Sequence, residues 1–141
     1  MEHSTKTIAV FGEALVDDFG EHQVLGGAPF NVARHLAAFG QAVLMVTRVG
    51  DDANGGRVRA DCARFGMDLA GVQVDAERPT GRVLVERSAD GGSPRFTILD
   101  DQAYDAIEAG PALAAVAGDQ PATLYFGTLA QRAPQSRRTL A

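Results

Sequence analysis

The chain has 141 residues, 45% of them hydrophobic and 22% charged, with a formal net charge of -5. That is the composition of one ordinary globular domain, and it excludes a disordered or fibrous chain. The acidic balance offers no field for nucleic acid or an anionic membrane, and Arg132, Arg137 and Arg138 near the end are too few to reverse it.

The start, Met1 to Lys6, is polar, and no apolar run approaches membrane-spanning length. Thr7 to Phe11 is a short apolar, β-branched run closed by Gly12, the pattern of a buried strand in a parallel sheet. Asp17 then falls just beyond that strand's C-terminal end, the edge at which open α/β sheets bind ligands. Gly26-Gly27 permits a sharp turn and close approach of a ligand to the backbone, and Pro29 suits the first turn of a helix running to Phe39. Val32, Ala33, Leu36 and Ala37 give that helix its apolar face, and Gly40 stops it. Asn31 lies in its first turn, beside unpaired backbone donors, with an amide that both donates and accepts. The plain alternative is a strand-to-helix turn followed by a solvated asparagine.

A second strand is expected from Ala42 to about Val49. Asp52 caps the next helix, in which Val58, Cys62 and Phe65 share a face before Gly66. Cys62 is the single cysteine, so no intramolecular disulfide forms and a reducing cytoplasm is expected. It reads as a small core residue. Strand and helix alternate this far, which predicts an α/β layered fold. After Gly71 come consecutive strands at 72–74, 82–86 and 95–98, with a turn at Asp90-Gly91-Gly92. With residues 20–25 they are expected to form a small separate sheet; an ordinary meander that serves only packing is the alternative. Ala103 to Glu108 and Pro111 to Ala117 read as helical, Thr123 to Phe126 as a return to the main sheet, and Pro134 as the start of a last helix. Three main-sheet strands and about as many helices make half of a layered domain.

Asp51, Asp52 and Asn54 fail the alternation and closing Glu of a calcium loop. His22 and His35 stand apart from each other and from Cys62, so no metal site is expected. No Gly-x-Gly-x-x-Gly follows the first strand, which leaves a dinucleotide-binding reading weak.

From Gly26 to Gly50, with Gly26-Gly27-Ala28-Pro29-Phe30-Asn31, Ala33 and Gly40 between, the chain resembles the first signature of the PfkB, or ribokinase-like, family of carbohydrate kinases. Gly12-Glu13-Ala14-Leu15-Val16-Asp17, Val49-Gly50-Asp51-Asp52, Thr80-Gly81, Phe96-Thr97-Ile98, Ala103-Tyr104-Asp105 and Phe126 to Arg132 are similar to its fructokinase-like members in the same order. The resemblance implies a ribokinase-like α/β layered fold, present as its N-terminal half, with a β-sheet lid of strands near 20–25 and 72–99. It implies substrate contacts from Asp17, Gly27 and Asn31, with Gly26, Phe96 and Arg132 as secondary ones. Asp18 stands in for Asp17 if the register slips by one; Phe96 is otherwise core, and Arg132 otherwise a helix-entry arginine.

ATP and Mg are implied for the complete enzyme, and neither is expected to bind this chain well. The family's second signature, a Gly-Ala-Gly-Asp segment carrying the anion hole and the catalytic base, is absent here. No catalytic residue is therefore expected within the chain, and no activity of its own. Implied partners are a small sugar, the missing C-terminal half and a second copy through the lid. A kinase of 2-keto-3-deoxy sugar acids, with Arg82, Arg95 or Arg132 on the acid group, and a non-catalytic sugar-binding or dimerisation module are the competing functions.

Overall fold

The structure, a computed structural model, describes residues 5–141. In chain order its elements are β1 (Ile8–Phe11), β2 (Leu15–Asp18), β3 (Gln23–Gly26), α1 (Ala28–Ala38), β4 (Val43–Gly50), α2 (Ala53–Arg64), β5 (Val72–Asp75), β6 (Gly81–Glu86), β7 (Arg95–Ile98), α3 (Ala109–Asp119), β8 (Thr123–Phe126) and α4 (Pro134–Leu140). Short 3-10 turns stand at Leu69–Gly71, Ala103–Ala106 and Leu129–Arg132.

The main sheet is parallel throughout, in the order β5-β4-β1-β8. A parallel sheet needs apolar cover on both faces, and alternate side chains supply it. Val10 of β1 and Val43 and Met45 of β4 join Phe30, Ala33, Val58 and Cys62 in one core. Ala9, Phe11, Leu44 and Val46 join Ile107, Ala112 and Ala115 in another. Helices α1 and α2 thus cover one face while α3 and the Ala103–Ala106 turn cover the other. At the sheet's edge, Leu124, Tyr125 and Phe126 of β8 are 40–52% exposed.

The second sheet has the order β3-β2-β6-β7. It differs from expectation in two places. Residues 72–75 do not belong to it; β5 lies beside β4 in the main sheet, with Thr47 opposite Val72. Alternation within a strand cannot say which sheet it joins, because that depends on a partner distant in sequence. Here Gly71, where a Cβ would collide with the Met45 carbonyl, lets the chain turn tightly against β4. Arg48 then grips Asp75, Nε to Oδ2, at 3.0 Å. The second difference is β2: residues 15–18 are a strand, so Asp17 is held in a sheet. The segment after Gln102 is also tighter than a regular helix, a single 3-10 turn ending in extended Ile107.

Thr80 latches the two sheets together. Asp52 caps α2 by accepting the Gly55 N–H at 2.8 Å, and also accepts the Thr80 N–H at 2.9 Å and hydroxyl at 2.7 Å. The Thr80 hydroxyl oxygen in turn accepts the Gly50 N–H at 2.9 Å. The start of β6 is therefore fixed to the end of β4.

Burial pushes the Asp75 carboxyl upward, but the backbone N–H groups of Arg78 and Glu77 and the Arg48 guanidinium outweigh it and hold the value at about 2, against an ordinary 3.8. A folded value below the unfolded one stabilises fully above about pH 3.8, and the contribution disappears as pH falls through about 2. This is worth on the order of 2 kcal/mol. Urea unfolding across that acid range is expected to show a shallower pH dependence for Asp75→Asn; an unchanged acid limb would contradict the assignment.

Candidate substrate-binding site

The site begins with a packing constraint at the C-terminal ends of β1 and β8. The Pro29 ring sits so close to Gly12 and Gly127 that a Cβ on either would come within 2.5 and 2.6 Å of Pro29 Cγ. No other residue fits those two positions without displacing the ring. The N terminus of α1 is thereby pinned against the strand ends. Gly127 is tied there as well, donating its N–H to the Phe11 carbonyl at 3.1 Å.

Glu13 follows directly and is enclosed in this knot, 4% exposed. The Glu13 carbonyl oxygen would lie 2.6 Å from a Cβ on Gly27, whose φ is +98°. Its Oε2 is buried near Gly127 and has no hydrogen-bond partner among the described residues. Burial raises the carboxyl's pKa above its ordinary value; the backbone N–H groups of Glu13, Ala28 and Ala130 and the charge of Arg132 draw it only part of the way back. Within the motif Gly12 to Asp17 the sequence by itself assigns Glu13 no separate role. The signal was present: an acidic residue between a glycine and an apolar strand, where a solvated side chain has no place.

Asp17 and the glycine turn are brought together. The second sheet's register sets Asp17 across from Val24 and Val83, and Val83 across from Ile98. Directly opposed residues share a face, so Asp17, Val24, Val83, Ile98 and, two positions along, Phe96 lie on one side. Leu15, Val83 and Val85 on this side pack on Tyr104 and Ala130. The Asp17 carboxylate folds over Gly26, where a Cβ would meet Oδ2 at 2.7 Å, and its partial burial raises its pKa. Asp18 points to the opposite face and accepts the Gly20 N–H at 2.9 Å, with Arg82 3.8 Å away.

Gly27 is the N-cap of α1, which has no side-chain cap, and its carbonyl accepts the Asn31 N–H at 2.9 Å. Asn31 stands exposed in the first turn, its Oδ1 accepting from Arg34 Nη2 at 2.5 Å. An acceptor, Asp17 on the second sheet, and a carboxamide, Asn31 at a helix start, thus flank the same glycine turn. Such a pair suits hydroxyl groups.

Phe96 shares Asp17's face further along the second sheet, and Arg132 is engaged by other partners. Phe96 is 61% exposed and lines an apolar recess with Phe19, Val85 and Pro94, to which neither Asp17 nor Asn31 contributes. Arg132 is committed to Asp105 by a two-point fork, both contacts 2.9 Å, and also donates to the Leu99 carbonyl at 2.7 Å and the Tyr104 hydroxyl at 3.0 Å. Gln131 is partly buried, with its Nε2 unpartnered among the described residues.

A carboxyl whose folded pKa is raised stabilises the fold below its ordinary value, 4.5 for Glu13, and that contribution is lost as pH rises through the folded value. Glu13→Gln is expected to remove this decline, flattening the dependence of the unfolding free energy on pH between acid and neutral conditions. Parallel pH profiles for both proteins would refute the buried carboxyl.

Comparison with known proteins accords with this architecture. The pattern of the pfkB family carbohydrate kinases matches residues 5–125. A fructokinase of Klebsiella pneumoniae is 37% identical over 89 residues, taking in 60% of this chain and 29% of that protein. The crystal structure of a fructokinase from Xylella fastidiosa with bound ATP aligns at a TM-score of 0.82 with 26% identity, covering 96% of this chain and 43% of that one. An uncharacterized sugar kinase from Pyrococcus horikoshii aligns at 0.82 with 27% identity, covering 94% and 48%. The chain spans about a third of the length of the curated relatives it matches. With the family pattern running through residues 5–125 and the ribokinase-like layers arranged as in these kinases, the chain belongs to the pfkB family of carbohydrate kinases.

Proposed function

We propose that this chain is the sugar-gripping portion of an ATP-dependent carbohydrate kinase that phosphorylates a hydroxyl of a neutral sugar, most like fructokinase. The observation that carries the proposal is the rim of Asp17, Gly26, Gly27 and Asn31, in which a carboxylate rests against an open glycine turn at an uncapped helix start. An ionised carboxylate accepts strong hydrogen bonds from hydroxyls and repels a phosphate. A sugar acid would call for an uncommitted arginine on Asp17's face. Arg82 and Arg95 lie on the opposite face by register, and Arg132 is held by Asp105.

ATP as phosphoryl donor is supported by the Xylella fructokinase that holds it. The residues of this chain do not fit a nucleotide site. No Gly-x-Gly-Asp occurs in the sequence, and among the described residues no three His, Cys, Asp or Glu converge as a metal-binding group. No phosphoryl-transfer step is assigned to them. The exposed edge strand β8 supports a further segment covering the main sheet in the complete enzyme, and the Asp17 carboxylate of the second sheet, resting against Gly26, supports that sheet acting as a lid over the sugar. Val24, Ile98 and Phe96, 44–61% exposed on one face, support pairing of that sheet with a second copy.

Titration of the 15N-labelled chain with D-fructose is expected to move the amide resonances of Asp17, Gly27 and Asn31, and Asn31→Ala to lose the response while the spectrum stays folded. Absence of any response in the wild type would end the proposal. ADP release with ATP and D-fructose is expected to stay at the buffer rate; robust turnover would overturn the assignment of incomplete machinery. Sedimentation is expected to give a dimer, twice the 14.8 kDa chain, and a monomer for Phe96→Asp.

A further inference from the structure

Arg34 follows Asn31 by one turn of α1, and its guanidinium joins three elements. Nη1 donates to Asp61 Oδ2 of α2 at 2.9 Å. Nη2 donates to the Leu25 carbonyl of β3 at 3.2 Å and to Asn31 Oδ1 at 2.5 Å. The group also lies over the Phe30 ring, with Cζ 4.6 Å from its centre. Asp61 is itself held by Arg64, whose Nη2 is 2.7 Å from Oδ1. A side chain engaged from so many directions has little rotamer freedom.

The chemistry of this contact is directional. A guanidinium has five N–H donors and no acceptor. The Asn31 atom that faces it is therefore the carbonyl oxygen, since the reversed amide would set N–H against N–H. With Oδ1 occupied, Nδ2 turns away from Arg34 and keeps its hydrogens for another partner. Asn31 is exposed, so that partner can come from solution.

We propose that Arg34 is a positioning residue which locks the Asn31 carboxamide so that it acts at the rim as a hydrogen-bond donor. The group it takes is then an oxygen lone pair, on a hydroxyl or carbonyl. Asp17, acceptor-only when ionised, supplies the opposite polarity. A polyol satisfies both, lending a hydrogen to Asp17 and a lone pair to Asn31; an ammonium ligand satisfies Asp17 alone. This rests on the reading of Asn31 as a sugar contact and adds the direction of its hydrogen bond.

Two variants test it in the 141-residue chain. Arg34→Met removes the lock. The heteronuclear NOE of the Asn31 side-chain amide, measured without sugar, is expected to fall from a near-backbone value to that of a freely rotating group. The dissociation constant for D-fructose is expected to rise about tenfold, which corresponds to about 1.4 kcal/mol. Asn31→Asp keeps an acceptor for Arg34 and deletes the donor. It is expected to hold or raise the thermal midpoint and to weaken D-fructose binding at least about tenfold.

An Asn31→Asp variant that binds D-fructose as tightly as the wild type would overturn the donor role, because then the oxygen suffices. An unchanged NOE in Arg34→Met would overturn the lock. If Arg34→Met fails to fold, the Asn31→Asp comparison decides. A wild type that ignores D-fructose counts against the sugar site itself, and the NOE still decides whether Arg34 orients Asn31.

Discussion

The close approach of the Pro29 ring to the ends of β1 and β8 governs the geometry of the functional edge. Glycine at 12 and 127 leaves room for that ring, and a Cβ at either place would overlap it. Three consequences follow from this contact. Helix α1 starts where the strands end, Gly27 takes up a left-handed φ of +98°, and Glu13 is sealed between the helix start and the exit of β8. Asn31 therefore falls in the first turn of α1, directly after the glycine turn, with its N–H on the Gly27 carbonyl. The helix N terminus carries a partial positive charge, which favours the acidic and polar groups collected around it.

Charge around this edge is divided by function. Asp52, Asp75 and Asp105 are consumed in holding elements together: Asp52 through Thr80 and Gly55, Asp75 through Arg48, and Asp105 through Arg132. Burial would raise the pKa of Asp52, and the donors around it win, so its pKa is lowered. Glu13 and Asp17 have the opposite balance, since burial dominates and raises both. That contrast separates carboxylates whose partners come from the fold from those whose partners are few. A desolvated carboxylate with spare acceptor capacity is costly in a structure and useful at a ligand site.

Much of the framework was legible along the chain. The strand at 8–11, the helix opened by Pro29, the Asp52 cap and the left-handed Gly40 and Gly66 that end helices are all local matters, decided by φ preferences, side-chain caps and apolar spacing. The placement of residues 72–75 was not. Val72-Gln73-Val74 alternates as any half-buried strand does, and its partner, β4, lies more than twenty residues earlier. Asp17 was legible as a carboxylate following the first strand, but its place inside a strand of the second sheet was not. Glu13 carried a visible anomaly, and the reason for it, enclosure between Gly27 and Gly127, exists only once β1, α1 and β8 meet.

By itself the sequence determined the family, most of the succession of elements and the residue types available at the glycine turn, because these rest on local backbone preferences and on a motif read residue by residue. Tertiary structure alone decided which face each carboxylate occupies, which arginines are spent and which way Asn31 presents its amide. Those outcomes depend on strand register and on contacts between residues far apart in the chain. A shift of one residue in β2 would have exchanged Asp17 for Asp18 on the apolar face with no change in composition.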